Sequence, residues 1–541
     1  MKKKMRNLQK SRATHFGVLR IGIASVVLLL QVALAASDSS SAVLQHPTTK
    51  SKSISTSIHS KDDAIPSLFW KTNPSFSVRG GAITQNKSRN VAVVVSQKKT
   101  KIAASQEGAS IRTSVFNLAN NVAGAGILTL AAGKASGTGW IPSILICLAI
   151  ATVSSHTFSL VGKSCELTGL DSFKDLWSYA FGSSETAWVV DTMVFVQCFF
   201  VSIIYTGLLG DVFSALLKGT LGIDAWWTSR TSVILLAAAN ILFPLNLIRD
   251  LSSLGFTSVL GLIAVLYTVG FIVLRAVDGT YGIGSGIPVV DGGKAFGKFV
   301  AEGLLPKIPS FAKSTLWNVD LNSLVLISNL GLAFIAHYNA PSYWRSLGNS
   351  ASSKKFEIIS KRAYLILAAI YTTTMVSGYA TFGDASMGNI LLNYSSTDLL
   401  ATLGRLATGL SIIFGFPLIS NGCREGFKNA ADALGLFGGA ASDPKNHAKL
   451  VICLLLVTTT LAIVADDIGM VAGLTGALMG SSLVYICPTL LYAKIVGRKS
   501  GFDSEEYKAA KKNLVWIPFG IFTASMGIIM TLKNSMSTDR V

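Results

Sequence analysis

The chain has 541 residues, half of them hydrophobic, with a mean hydropathy of +0.51 and only 14% charged residues, against roughly 25% in soluble domains. Its formal charge of +19 invites a nucleic-acid reading, but the basic residues sit in the N-terminal tail and in alternate connections between apolar runs. No basic stripe interleaved with aromatics is present to follow a phosphate backbone, so a nucleic-acid partner is excluded.

Residues 1–36 open with Lys2, Lys3, Lys4 and Arg6, pass through IGIASVVLLLQVALA, and end on the small residues Ala33-Leu34-Ala35. That layout is a secretory signal peptide, with a retained signal anchor as the competing reading. Residues 37–110 are rich in Ser, Thr and Lys and poor in acids; such a tail buries too little apolar surface to fold and is expected to be disordered. Leader plus tail resembles the two-part address of proteins sent to plastids with extra membranes. Endomembrane, vacuolar and plasma membranes stay open.

From Ile111 onward, apolar runs long enough to cross roughly 30 Å of hydrocarbon recur to the C-terminus. They predict an all-α polytopic membrane domain over 111–533, surrounded by lipid, with a short tail at 534–541. The expected spans are Ile111–Gly133, Gly139–Val161, Trp188–Leu217, Thr228–Leu247, Leu251–Leu274, Leu321–Tyr343, Ala363–Thr381, Leu399–Ser420, Leu450–Val464, Ile468–Ala493 and Leu514–Leu532, eleven in all. Asp466-Asp467 demands a tight turn between the ninth and tenth. The six cysteines form no CxxC pair, so neither a disulfide framework nor a metal site is indicated. No GxxxxGK[ST] loop occurs, which argues against ATP-driven pumping.

The connections YWRSLGNSASSKKFEIISKR, CREGFKNAADALG…KNHAK and KIVGRKSGFDSEEYKAAKK are basic, whereas FGDASMGNILLNYSSTD and the Asp466-Asp467 turn carry no Lys or Arg. Basic connections stay cytosolic, which puts the start of the first span inside and the C-terminus outside. A cleaved leader would place the new N-terminus on the opposite side. Asn393-Tyr394-Ser395 is a glycosylation sequon in a connection read as external.

Two spans break the rules for lipid. NLANNVAGAGILTL (117–130) puts three asparagines and the pair Gly124 and Gly126 in mid-membrane, and AFIAHYNAPSYW (333–344) sets His337, Tyr338 and Asn339 before Pro341. Broken helix is tolerated in hydrocarbon only where it lines a cavity or is covered by protein. The broken spans are the first and the sixth, each heading a set of five. Interruptions at matching positions in two halves point to the midplane site of a secondary transporter. A half-helix starting near Ile127 would aim its positive end at a carboxylate, and freed carbonyls would suit an ammonium or a cation. Together they fit a zwitterion such as an amino acid.

SVFNLANNVAGAGILTL (114–130) resembles the first-helix signature SxFNLxNxxxGxGIL of the amino acid/auxin permease family, closest to its sodium-coupled neutral amino acid transporter branch. IIYTGLLGD (203–211), AFIAHYNAPSYW, GYATFGDASMGNILLNY (378–394) and GLTGALMGSSLVYICPTLLY (473–492) follow in order. The resemblance implies a bacterial leucine transporter-like fold of five helices, five inverted helices and one extra. It implies that Asn120 helps bind sodium and substrate, that Gly124, Ala125 and Gly126 face the substrate carboxylate, and that Phe334, Ile335 and Ala336 lie near the amine. The eighth span departs from the pattern. SIIFGFPL has Ile413 and Gly415 before Pro417 where sodium-coupled members carry a hydroxyl, and Ser411 is nearby but out of register. Sodium coupling, proton coupling and exchange therefore all stay open, and no organic cofactor is expected.

The remaining candidates are Asn117 and Asn121 beside the break, Tyr205 as a cavity residue, and His337 as a proton carrier or a hydrogen-bonded structural histidine. His156 reads as structural, and Asp211 as a gate or an ion-pair partner. The function expected is secondary active transport of neutral amino acids through a site between the first and sixth spans. A membrane-resident amino acid sensor and a channel are the alternatives. No nucleophile or metal-ligand grouping at membrane depth suggests an enzyme.

Overall fold

The structure is a computed structural model that describes residues 108–222, 224–248, 255–282 and 297–538. The leader, and the tail up to Glu107, lie outside the described residues. Among the described residues the regular elements are helical, apart from one isolated bridge between Ser310 and Gly383.

Among the described residues eleven spans follow in order, the first of them bent by 53° between its two halves. That span comprises Ile111–Val122, a 3-10 turn over Ala125–Thr129 and Leu130–Ala135. The second is Trp140–Thr168, the third Trp188–Leu221, the fourth Arg230–Leu247 and the fifth Gly255–Val277. The sixth is split into Ser323–Ala333 and Ala340–Ser346. Ser353–Phe382, Leu399–Ala433, His447–Val464, Ile468–Ser500 and Trp516–Thr538 complete the set. Five crossings is an odd number, so the set headed by the sixth span runs in the opposite sense to the set headed by the first.

Several helices outrun their apolar runs, because hydropathy marks the part in hydrocarbon while the helix continues to its cap. The second span stops only at Gly169, whose φ of 70° is the left-handed cap that glycine adopts freely. The last helix reaches Thr538, into the segment expected to be tail. Helix starts are chemically marked as well. Ser110 accepts from Thr113 N at 3.2 Å, and Asp467 accepts from Gly469 N at 2.9 Å. The Asp466-Asp467 turn is thereby also the cap of the tenth span, with its carboxylate at the positive helix end.

The loops gather at two ends. At one, Arg345 bonds Asp171 O, Lys499 bonds Leu167 O and Ser353 N bonds Glu166. At the other, Asn318 bonds Gly137 O and Asn389 reaches Asp211. This segregation is what eleven crossings require. It leaves the basic connections together at the first end, the one read as cytosolic.

The connection between the seventh and eighth spans is not a free external loop. Buried Arg405 donates to the carbonyls of Leu391, Tyr394 and Ser395 at 3.0, 2.6 and 3.2 Å. Asp398 accepts from Arg275 at 2.7 Å and from Tyr281 at 2.8 Å; burial, then the Asp398 carboxylate, push the Tyr281 hydroxyl up. The sequon's asparagine is part of this packing. Asn393 is fully buried, accepts from Met387 N at 2.8 Å and donates to Ala385 O at 2.9 Å. Its amide builds the turn, and a glycan there would stop the loop from closing. Endoglycosidase is therefore expected to leave the mobility of the folded protein unchanged. Asn393→Ala should lower its stability by about 1–3 kcal/mol, read as a fall in thermal midpoint.

The third and eighth spans form the most extensive helix pair, and the tenth is enclosed on all sides. Its contact with the sixth span depends on bare backbone: a β-carbon at Gly476 would lie 1.8 Å from Ser328 O. Small residues of this kind let helices approach closely in lipid.

Candidate functional site

The first span leaves helical geometry at Ala123. Its φ of −70° and ψ of 69° make an inverse γ-turn, closed by Gly124 N donating to Val122 O at 2.7 Å. Gly124 is extended and the 3-10 turn begins at Ala125, so the first N–H groups of the outer half-helix have no intrahelical acceptor. Neither Gly124 nor Gly126 has a positive φ. What the glycines supply is closeness. A β-carbon on Gly126 would stand 3.0 Å from Ala333 Cα, and one on Gly124 would stand 3.2 Å from the Tyr205 hydroxyl.

The sixth-span break is displaced from where Pro341 suggests. It lies at Phe334–Ala336, between the end of the first half-helix and a 3-10 turn over His337–Asn339. Pro341 sits in the first turn of the second half-helix, where its missing N–H costs nothing.

The two discontinuities meet. Tyr371, from the seventh span, directs its hydroxyl at both Val122 O, 2.8 Å away, and Ala333 O, 2.7 Å away. Tyr364 donates to Phe334 O at 3.2 Å, and Asn329 Nδ2 donates to Thr129 O at 3.2 Å. Freed carbonyls expected to await an ammonium or a cation are thus partly occupied by tyrosine hydroxyls.

Two small cavities flank the first-span break. One, of about 40 Å³, is lined by Gly124, Tyr205, Thr268, Thr408 and Ser411 with apolar neighbours. The other, of about 50 Å³, is lined by Asn121, Gly124, Gly126, Gln197, Tyr205, Ile335 and Tyr338 among others. Gly124 and Tyr205 belong to both. A β-carbon at Gly261 would lie 3.3 Å from Ser411 Oγ and 3.9 Å from Asn120 Oδ1, so these two oxygens converge on one bare stretch of the fifth span. No acidic or basic side chain among the described residues lines either cavity. A larger vestibule of about 310 Å³ opens at the other end, lined by Ser136, Asp211, Lys313, Asp384, Asn389 and Asp467 among others.

The structure therefore gathers Asn121, Gly124, Gly126, Tyr205, Ile335 and Ser411 at the cavities, with Asn120 close by. Ala125 contributes the start of the outer half-helix. Four further candidates fall outside the cavity walls. Asn117 is exposed one turn below Asn121, its carbonyl accepting from Tyr343. Phe334 is buried, with its ring against Tyr364 and Tyr371. Ala336 is buried and bonds Asn339 N. His337 is fully buried, its Nε2 3.0 Å from both Thr157 Oγ1 and Ser154 O; it ties the sixth span to the second. Asp211 is an ion-pair partner, bonded to Arg230 at 2.7 Å at the edge of the vestibule. His156 pairs with Asn513 at 2.7 Å.

Gln197, Thr268, Thr408 and Tyr371 were not singled out from the sequence, whereas Tyr338 was named only as one of the polar trio before Pro341. Gln197 carries the signal that exposed the first span, an amide in an apolar run. Thr268 does not, since its hydroxyl satisfies itself on a carbonyl of its own helix, Ala264 O.

Residues 107–533 match the family described as transmembrane amino acid transporter protein. The chain belongs to that family. The transporter is 26% identical over 446 residues to sodium-coupled neutral amino acid transporter 11 of Mus musculus, covering 81% of this chain and 89% of that protein. It is 28% identical over 388 residues to vacuolar amino acid transporter 5 of Schizosaccharomyces pombe, covering 70% and 83%. Among solved structures, Mhp1, a nucleobase-cation-symport-1 family transporter, aligns with a TM-score of 0.48 at 11% identity, covering 80% of this chain and 93% of that one. The protein is an integral multi-pass amino acid transporter.

Proposed function

We propose that this transporter carries neutral amino acids by alternating access through the paired discontinuities of its first and sixth spans, coupled to sodium. The observation that carries the reading is the meeting of the two breaks, with Gly126 against Ala333 and two cavities around Gly124. In this reading the N–H groups that open the 3-10 turn at Ala125 face the substrate carboxylate. Cavity walls without charged side chains favour a neutral substrate, since a buried charge needs a partner.

Asn120 and Ser411 form the coupling-ion position. Their oxygens converge at Gly261, next to the break, and a hard cation wants several oxygen ligands. The hydroxyl missing before Pro417 is supplied, in this reading, by Ser411, which faces the cavity from one turn further up. The mouse relative is named for sodium coupling and neutral amino acids, and the fission yeast relative for the vacuole. These names support the ion, the substrate class and an organelle membrane. The reading is of a carrier, with no chemical step.

Uptake into proteoliposomes across an amino acid panel, with sodium and proton gradients imposed separately, tests it. Saturable uptake driven by the sodium gradient alone is expected. Asn120→Ala removes an oxygen held to a cation, a contribution of about 1.5–3 kcal/mol, so sodium-driven uptake should fall roughly 10- to 150-fold. Parent-like uptake by that variant, with its sodium dependence intact, would remove Asn120 from the site.

A further inference from the structure

The third span buries a carboxamide that no contact explains. Gln197 stands in the apolar run MVFVQCFFV, is 2% exposed, and lines the cavity shared by Asn121, Tyr205, Ile335 and Tyr338. Its Oε1 has no hydrogen-bond partner among the described residues. Buried polar groups are almost always paired, and an exception calls for an explanation. Packing does not provide one. Methionine has the same length and leaves no orphan. Its polar neighbours do not provide one either. Tyr338 and Asn121 share the cavity wall with Gln197, yet neither bonds it.

We infer that Gln197 is a specificity-determining residue whose carboxamide pairs with a polar, uncharged side chain on the substrate, selecting carboxamide- or hydroxyl-bearing amino acids over apolar ones of equal size. This rests on the neutral amino acid reading above. A carboxamide offers a donor and an acceptor side by side, so its best complement is a group that offers both. A cationic or anionic side chain would want a counter-charge, and none lines either cavity among the described residues. The location fits as well. Gly124 and Gly126, which face the substrate backbone in that reading, line the same cavity as Gln197, so one small molecule spans both. A site built to hydrogen-bond its substrate rejects the analogue that leaves its polar group unpaired far more strongly than an apolar pocket rejects a hydroxyl.

Glutamine and methionine, matched in length, make the test in proteoliposomes. The parent protein should favour glutamine in kcat/KM. In Gln197→Met that preference should fall at least tenfold, through a KM for glutamine raised more than that for methionine. Gln197→Glu is the second variant, keeping the length but leaving acceptors only. It should lose the glutamine preference and gain lysine uptake. Preserved uptake with an unmoved glutamine-to-methionine ratio in both variants overturns this inference alone. So does an equal loss for both substrates, the result expected if Gln197 only holds a structural water. Absence of saturable amino acid uptake by the parent sinks the underlying reading and this one with it.

Discussion

Gly126→Val is expected to abolish uptake while leaving the protein folded in its membrane. A β-carbon at this position would already stand 3.0 Å from Ala333 Cα, 3.2 Å from Ala333 Cβ and 3.3 Å from Ala333 N. The first two contacts are too short for carbon atoms, and valine adds two methyl groups. The nearest of these atoms is backbone, so no rotamer change relieves it. The outer half of the first span must instead move away from the sixth, at a cost of about 1–3 kcal/mol for overpacking. Eleven spans tolerate that, but the site does not. Displacing one half of a preorganised site by about 1 Å typically costs on the order of 10²-fold in rate. Uptake assays on purified, monodisperse protein measure this. Near-parent uptake would mean that the breaks do not work as a unit. Gly126→Ala, which adds only the first carbon, should fall between the two.

Tyr371→Phe should produce the next largest effect, by a different route. One hydroxyl proton serves two carbonyls, Val122 O and Ala333 O. Val122 O keeps its γ-turn bond from Gly124 N without the tyrosine. No other hydrogen bond to Ala333 O is seen among the described residues. The variant therefore strands mainly the sixth-span carbonyl, at about 1–3 kcal/mol. If that penalty falls on the substrate-bound geometry, kcat/KM drops roughly 5- to 150-fold. Phenylalanine preserves the ring contact with Phe334, so the loss isolates the hydroxyl. A lower thermal midpoint with unchanged kcat/KM would confine Tyr371 to stability.

What could be read in advance follows from how far each interaction reaches along the chain. The first-span break was legible because its cause is local: asparagines and a glycine pair inside an apolar run. The sixth-span break was legible in existence but not in position. Pro341 marks a helix start as readily as a helix interruption, and Phe334-Ile335-Ala336 carries no local breaker. Helical phase explains Asn117 and Asn121. They lie four residues apart on one face, and only Asn121 is high enough to reach the cavity. His337 reads from the sequence as a proton carrier or a structural histidine, but its partners, Thr157 and Ser154, lie some 180 residues earlier and could not be named in advance. Tyr371 was invisible for the same reason: nothing near it in sequence reveals which carbonyls its hydroxyl meets. Asn393 misled in the opposite direction, its sequon being a tight turn built from the same amide.

The apolar stretch of the tenth span is buried among its neighbours. Its apolar character answers to packing alone, so a polar replacement there is judged by whether it finds a mate, not by what a bilayer would tolerate. Rational re-engineering of this carrier, or the grafting of a reporter side chain into its interior, is therefore limited along that rod by volume, since β-carbons at Gly476 and Gly480 would already meet the backbone of the sixth span.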